Sequence, residues 1–335
     1  PTSTSAEIMA TLLLDRAQLE IRTDGDALAL YEAGTRRGTV PIKLLDRVII
    51  QGAKTKLDTS VLTRLAEAGV ATLLMSSRQS RRVAIVLGPM HNDAAVRLAQ
   101  AKRVMDPEYC AHTARELVRA KLSRQRRLLK TALAERPDAR KALFDADASL
   151  AGIGESLATR GALDCASLRG LEGSAARAYF QGLGALFPPS LAFTGRNRRP
   201  PRDPVNACLS LAYTLLHFDA VGAAHRAGLD PLLGFYHRPA FGRESLASDL
   251  IEPLRPLADE WIWRLFQGRT LREDHFSNDK GACIMGKAAR ECFYAEWEQF
   301  ARLPRRWLRT RSARLARTLR AEGGTWLDQD EEAPF

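Results

Sequence analysis

Cysteine is scarce and unpaired in this sequence: Cys110, Cys165, Cys208, Cys283 and Cys292 are odd in number and widely spaced, with no C-x-x-C pair. That pattern argues against a disulfide framework and a structural zinc site, and makes free thiols the expectation. Long hydrophobic runs are missing too. No apolar stretch reaches the roughly 18 residues that a membrane-crossing helix requires. The most apolar segment, Ala207 to Leu216, carries Ser210 and Thr214 and reads as a buried helix, so no membrane association is expected. The N-terminal residues lack a basic region and reach Asp15 early, unlike a secretory signal. A cytoplasmic location is therefore the expectation. No internal repeat of solenoid period is present.

What is there is ordinary globular material with a basic balance. The 335 residues are 45% hydrophobic and 27% charged, enough for one large domain or two modest ones. Fifty Lys and Arg against 39 Asp and Glu give a net charge of +11, which favours a polyanionic partner without separating DNA, RNA and membrane surface. The first ninety residues read as β-rich: TLLLD, a hairpin around Asp24, Gly25 and Asp26, a strand in VPIKLLDRVIIQG, a short helix in LDTSVLTRLAEAG, then strands in ATLLMSS and RRVAIVLGP. From His91 the texture becomes basic amphipathic helix, with Pro137 and the Gly152 to Gly154 stretch expected as breaks and almost no further strand. The expected fold class is α+β. A small N-terminal β domain at 1–88 is followed by a larger all-α domain at 92–320 and a disordered acidic tail at 321–335.

Three stretches place acids and a histidine in unusual settings. In LRGLEGSAARAYFQGL, Glu172 is surrounded by Gly173, Ser174, Ala175 and Ala176 on an apolar helix, which suggests close packing by another element. Taken alone, this feature is read first as a solvated Glu beside a close helix crossing. In GLDPLLGFYHRPAFGRESL, His237 follows an apolar run and precedes a Pro and Gly loop, where a structural imidazole is an open alternative. In SLASDLIEPLRPLADEW, Asp249 and Glu252 lie three apart on one helix face, an unfavourable pair of like charges without a cation. Carboxylates with one imidazole suit phosphodiester chemistry, which needs a divalent ion; such a donor set accepts Mg²⁺ or Mn²⁺.

In order along the chain, these motifs resemble the CRISPR-associated integrase-nuclease family, the catalytic subunit of the spacer-acquisition complex. The resemblance spans roughly Thr11 to Ala321. It rests on RGLEGSAARAYF, on PPRDPVNACLSLAYTLL with Asn206 and Tyr213, on LDPLLGFYHRPAFGRESLASDLIEPLRP, and on the R-x-x-Q of Arg97 and Gln100. It implies a dimerising β domain and an α domain that holds the metal through Glu172, His237 and an acid. Glu252 is expected as the direct ligand and Asp249 as a second ligand or as the orienter of His237. The implied reaction is transesterification: a 3′-hydroxyl of a short DNA fragment attacks a phosphodiester at a repeat border of a CRISPR array, and water in its place would give endonuclease cleavage. Implied partners are double-stranded DNA, a second copy forming a homodimer, and a small ferredoxin-like companion subunit. Arg97, Lys121, Arg243, Arg309, Arg314 and Arg317 are expected to hold phosphates without reading bases.

Two other classes compete with this reading. A non-catalytic DNA-binding scaffold needs only the basic charge, although inward-facing acids would repel its ligand. A transposon-type integrase would use the same site in another setting. The run ARLPRRWLRTRSARLARTLR adds eight arginines, Arg302 to Arg320, with no acid between them; it is either a solvated face or a helix lying along a DNA backbone or acidic partner.

Overall fold

The computed structural model describes residues 10–51, 54–76, 82–89, 91, 93–197 and 200–331. It forms two compact units, Pro1–His91 and Asn92–Phe335.

The first unit holds two four-stranded sheets, built from β1 (Ala10–Leu14), β2 (Leu19–Asp24), β3 (Ala27–Glu32), β4 (Thr35–Pro41), β5 (Leu45–Ile50), β6 (Lys56–Leu57), β7 (Ala71–Met75) and β8 (Arg82–Val86), with the helix α1 (Thr59–Glu67) between β6 and β7. One sheet runs β4-β3-β2-β6 and the other β1-β5-β7-β8. The D-G-D hairpin joins β2 to β3 with Asp24 opposite Ala27. Strand β5 lies between two parallel neighbours, β1 and β7. A central parallel strand is covered on both faces, which suits the apolar end of LDRVII, where Val48, Ile49 and Ile50 are all buried. Leu14, Leu19, Ile21, Leu28, Val48, Val61 and Leu65 form one core between these elements.

The second unit is mostly helical: α2 (Ala94–Val104), α3 (Pro107–Glu135), α4 (Arg140–Thr159), α5 (Cys165–Gly184), α6 (Pro204–Arg226), α7 (Ser245–Ile251), α8 (Arg255–Gln267) and α9 (Lys287–Glu331). Asp93, Asp106, Asp164 and Asp203 cap α2, α3, α5 and α6, each accepting a backbone N–H of the first turn. Helix α6 is apolar all round because it is the central helix; 72% of its most apolar window is buried inside the protein. Pro137 ends α3 as expected. Gly152 and Gly154, by contrast, lie within α4 and break nothing, since a glycine costs a helix interior only about 1 kcal/mol, less than the packing around it returns. A two-stranded antiparallel hairpin, β9 (Phe276–Asp279) with β10 (Ala282–Met285), interrupts the helices where no strand was expected.

The acidic end also departs from expectation. Helix α9 continues to Glu331, and only 332–335 of the presumed tail lie outside the described residues. The helix persists because its end is tied to α2: Arg320 pairs with Asp93, and Arg103 pairs with Glu322. All five cysteines are free.

Candidate active site

The structure gathers Glu172, His237, Asp249 and Glu252 from four places in the helical unit. Glu172 stands on α5, His237 on the segment after α6, Asp249 on α7, and Glu252 on a 3₁₀ turn, Glu252–Leu254, between α7 and α8. Pro253 and Pro256 cause that turn: neither can donate to a helical ladder, so α7 stops and α8 restarts within three residues. Arg124 of α3 donates to the Pro253 carbonyl at 2.9 Å and holds the turn in place.

Asp249 is fully committed to its own fold. Its Oδ2 accepts the backbone N–H groups of Phe235 and Tyr236 at 2.7 and 3.0 Å. Its Oδ1 accepts the backbone N–H of His237 at 2.9 Å and faces His237 Nδ1 at 2.7 Å. Asp249 thereby engages Nδ1 and leaves Nε2 as the ring nitrogen turned towards the rest of the cluster. That Nε2 lies 3.9 Å from Glu252 Oε1. Gly234 makes the arrangement possible: a Cβ there would sit 2.6 to 2.8 Å from the backbone of Ser245, His237 and Leu246.

Glu172 and Glu252 face each other through Lys121. The ammonium of Lys121, on α3, binds Glu172 Oε1 closely and Glu252 Oε2 at 2.7 Å. Glu172 Oε2 accepts the Tyr236 hydroxyl at 3.0 Å, and Arg255 Nε lies 2.9 Å from Glu252 Oε1. Burial pushes the Glu252 carboxyl up, but Arg255 and then Lys121 outweigh it and hold the group down at about 2. Burial lowers Lys121 and its two acids more than restore it, so it stays charged. Burial and then Glu172 raise Tyr236 far above its ordinary value, keeping it a donor. The repulsion expected between Asp249 and Glu252 is thus relieved within the chain: Asp249 by backbone N–H groups, Glu252 by two cations. Among the described residues, no three donors close on one point as a metal cage. Lys121 fills that place.

Lys121 therefore corrects an expectation. It is buried against two acids instead of presenting to phosphate. Of the other expected phosphate contacts, Arg243, Arg309, Arg314 and Arg317 are exposed and Arg97 is half-buried. Arg305 leaves the arginine run altogether, buried in an ion pair with Asp219 at 3.2 Å and Glu298 at 2.9 Å. Of the small residues near Glu172, Ala175 is buried while Gly173 and Ser174 are exposed. A Cβ added at Gly170 or Gly173 meets nothing within 4 Å, so the surface beside the carboxylate is open.

Gln100, Asn206 and Tyr213, which carried the resemblance without an assigned role, make supporting contacts in the helical unit, and Asp259 joins them. Gln100, fully buried, donates to the carbonyls of Asp230 and Leu233 at 2.9 and 2.8 Å and accepts the Asp230 N–H at 2.8 Å. It fixes the start of the segment that carries His237. Asn206 clamps the chain before α6, donating to Gly195 O at 2.8 Å and accepting the Asn197 N–H at 3.1 Å. Behind the site, Asp259 accepts the hydroxyls of Tyr179 at 2.8 Å and Tyr213 more closely. Burial pushes Asp259 up to about 6, against the pull of Tyr213 and Tyr179. Asp259 lies four residues beyond Arg255, one turn along α8, a spacing that can be read in the sequence.

Residues 12–299 match the model of the family described as CRISPR associated protein Cas1. The chain belongs to the Cas1 family. Among Cas1 relatives, the CRISPR-associated endonuclease Cas1 1 of Thermodesulfovibrio yellowstonii is 37% identical over 89% of this chain and 93% of its own length. A Cas1 protein of Thermotoga maritima shares the fold, with a TM-score of 0.80 at 21% identity over 93% of this chain and 97% of its own. A casposase bound to integration product has the same fold, with a TM-score of 0.80 at 20% identity over 94% of this chain and 91% of that one.

Proposed function

We propose that this Cas1 chain is a metal-dependent DNA integrase and endonuclease that joins the 3′-hydroxyl ends of short DNA fragments to a CRISPR repeat array. The observation that carries the reading is the pairing of Glu172 and Glu252 across the ammonium of Lys121, with His237 Nε2 3.9 Å from the other oxygen of Glu252. A lysine ammonium between two carboxylates marks a point of strong negative potential, and two carboxylates with a neutral imidazole suit Mg²⁺ or Mn²⁺. Glu172, Glu252 and His237 would hold the ion. When bound, it supplies charge neutralisation at the phosphoryl oxygens and activation of the attacking hydroxyl.

The chain's own residues do the rest. Asp249 fixes the imidazole tautomer and aims Nε2. Tyr236 and Arg255 orient the two carboxylates, and the bare surface at Gly170 and Gly173 lets a phosphodiester approach Glu172. The exposed arginines Arg243, Arg309, Arg314 and Arg317 hold phosphates. Water in place of the hydroxyl gives strand cleavage. The β unit serves homodimerisation, a small ferredoxin-like companion subunit completes the assembly, and the protein works in the cytoplasm.

The test is strand joining with Mn²⁺ or Mg²⁺, measured beside DNA binding on the same preparations. His237→Ala and Glu252→Gln are expected to abolish joining while DNA binding persists. Joining that survives both substitutions, or that needs no divalent ion, would overturn the reading.

A further inference from the structure

The loop after His237 holds a feature that the cluster does not use. Its six residues from Arg238 to Arg243 are all exposed, and Phe241 shows 108% of its reference surface to solvent. Single exposed apolar side chains are common, and exposure alone means little. This ring is different because its backbone is built. Arg243 N–H donates to Ala240 O at 3.2 Å, closing a turn with Phe241 at its second position. Gly242 supplies the φ of +68° that the third position takes. Ser245 Oγ donates to Arg238 O at 3.0 Å and closes the base. The ring is held away from the core on a defined turn, between the exposed guanidinium-bearing residues Arg238 and Arg243.

An aromatic face between two cations matches a nucleic-acid strand, whose bases stack while the flanking phosphates pair with charge. A protein-docking anchor would sit within a wider apolar patch. We propose that Phe241 is a stacking platform for an unpaired DNA base next to the reacting bond, with Arg238 and Arg243 on the adjacent phosphates. The proposal rests on the integrase reading and adds where an unpaired base goes. Phe241 lies four residue steps after His237, so their Cα atoms lie within about 14 Å. At about 3.4 Å per nucleotide of strand, the stacked base lies within about four nucleotides of the reacting phosphate.

A double-mutant cycle tests this. The DNA carries a single-stranded 3′ end in which each of the last four bases is replaced in turn by an abasic site. Phe241→Ala is expected to slow joining about 10- to 100-fold, the usual worth of one base–aromatic stack, while Phe241→Trp retains the rate. At one position the abasic site should slow the unaltered protein by a similar factor and leave Phe241→Ala no slower than before. Losses that multiply at every position, an unslowed Phe241→Ala, or a variant that changes sedimentation would overturn the proposal. Read as binding affinity, the same cycle separates the two ideas: a protein that binds but does not join loses the integrase reading, while the cycle still decides Phe241.

Discussion

Two buried acids near the cluster respond to pH in opposite senses. Asp259 has its folded value raised to about 6, above the unfolded carboxylate near 3.9. The folded state therefore binds a proton between those values that the unfolded state does not. The stabilisation it brings is complete below about pH 3.9 and is lost as pH rises through 6. Glu252, held down at about 2, stabilises above its unfolded value near 4.3 and loses that contribution as pH falls towards 2. Asp259→Asn is expected to flatten the fall in thermal stability between pH 4 and 6 and to leave the acid limb intact. Melting curves across pH 2 to 7 check both; an unchanged slope between pH 4 and 6 would remove Asp259 from this account.

Elements set the site as much as residues do. The segment bearing His237 is pinned at its start by Gln100 and at its end by Asp249, from α2 and α7. Gln100→Ala removes three hydrogen bonds from a buried position, and a loss of about 2 to 3 kcal/mol is expected at roughly 1 kcal/mol each. Denaturant titration should show that loss, and joining should fall more than DNA binding does. The sequence shows this layer unevenly. Glu172, Asp249 and Glu252 stood out in the sequence as acids in apolar settings, and His237 joined them only through the resemblance to a known family. Lys121 did not stand out, since it lies among Arg119, Arg124, Arg126 and Arg127, and charge alone does not separate them. Its spacing does: Ala114, Leu117, Val118, Lys121, Leu122, Gln125 and Leu128 form the buried stripe of α3. A lysine on that stripe has to meet a buried acid, and a helical plot read for position before charge would have found it. The strands β9 and β10 escaped because FSND and ACIM are too short to show a period of two.

For the molecule as a whole, the excess of 50 Lys and Arg over 39 Asp and Glu sets the field that a polyanion, the DNA of the proposed reaction, would meet. Much of that excess is exposed on α9, whose arginines Arg309, Arg314 and Arg317 face solvent. Replacing these three with Gln should reduce the log-log salt slope of DNA binding by about 2.7 if each contacts a phosphate, at about 0.9 per contact. Binding measured from low to moderate salt checks it, and an unchanged slope would return the helix to a solvated face.

Lys121 has a consequence for how the protein lives between reactions. A metal site with bare acids would have to keep its ion or lose its shape; under the proposed function, the tethered ammonium that bridges Glu172 and Glu252 would balance their charge without the ion, and folding would be uncoupled from activation. A chelator should silence joining while leaving the melting temperature nearly where it was, and the silence should lift when Mn²⁺ returns. In Lys121→Met the two traits become linked: the chelated protein is expected to be about 3 to 5 kcal/mol less stable, as when one partner of a buried ion pair is removed, and Mn²⁺ should restore part of the loss. Calorimetry with and without the ion distinguishes the two, and a chelated Lys121→Met as stable as the unaltered protein would show that the acids need no guardian.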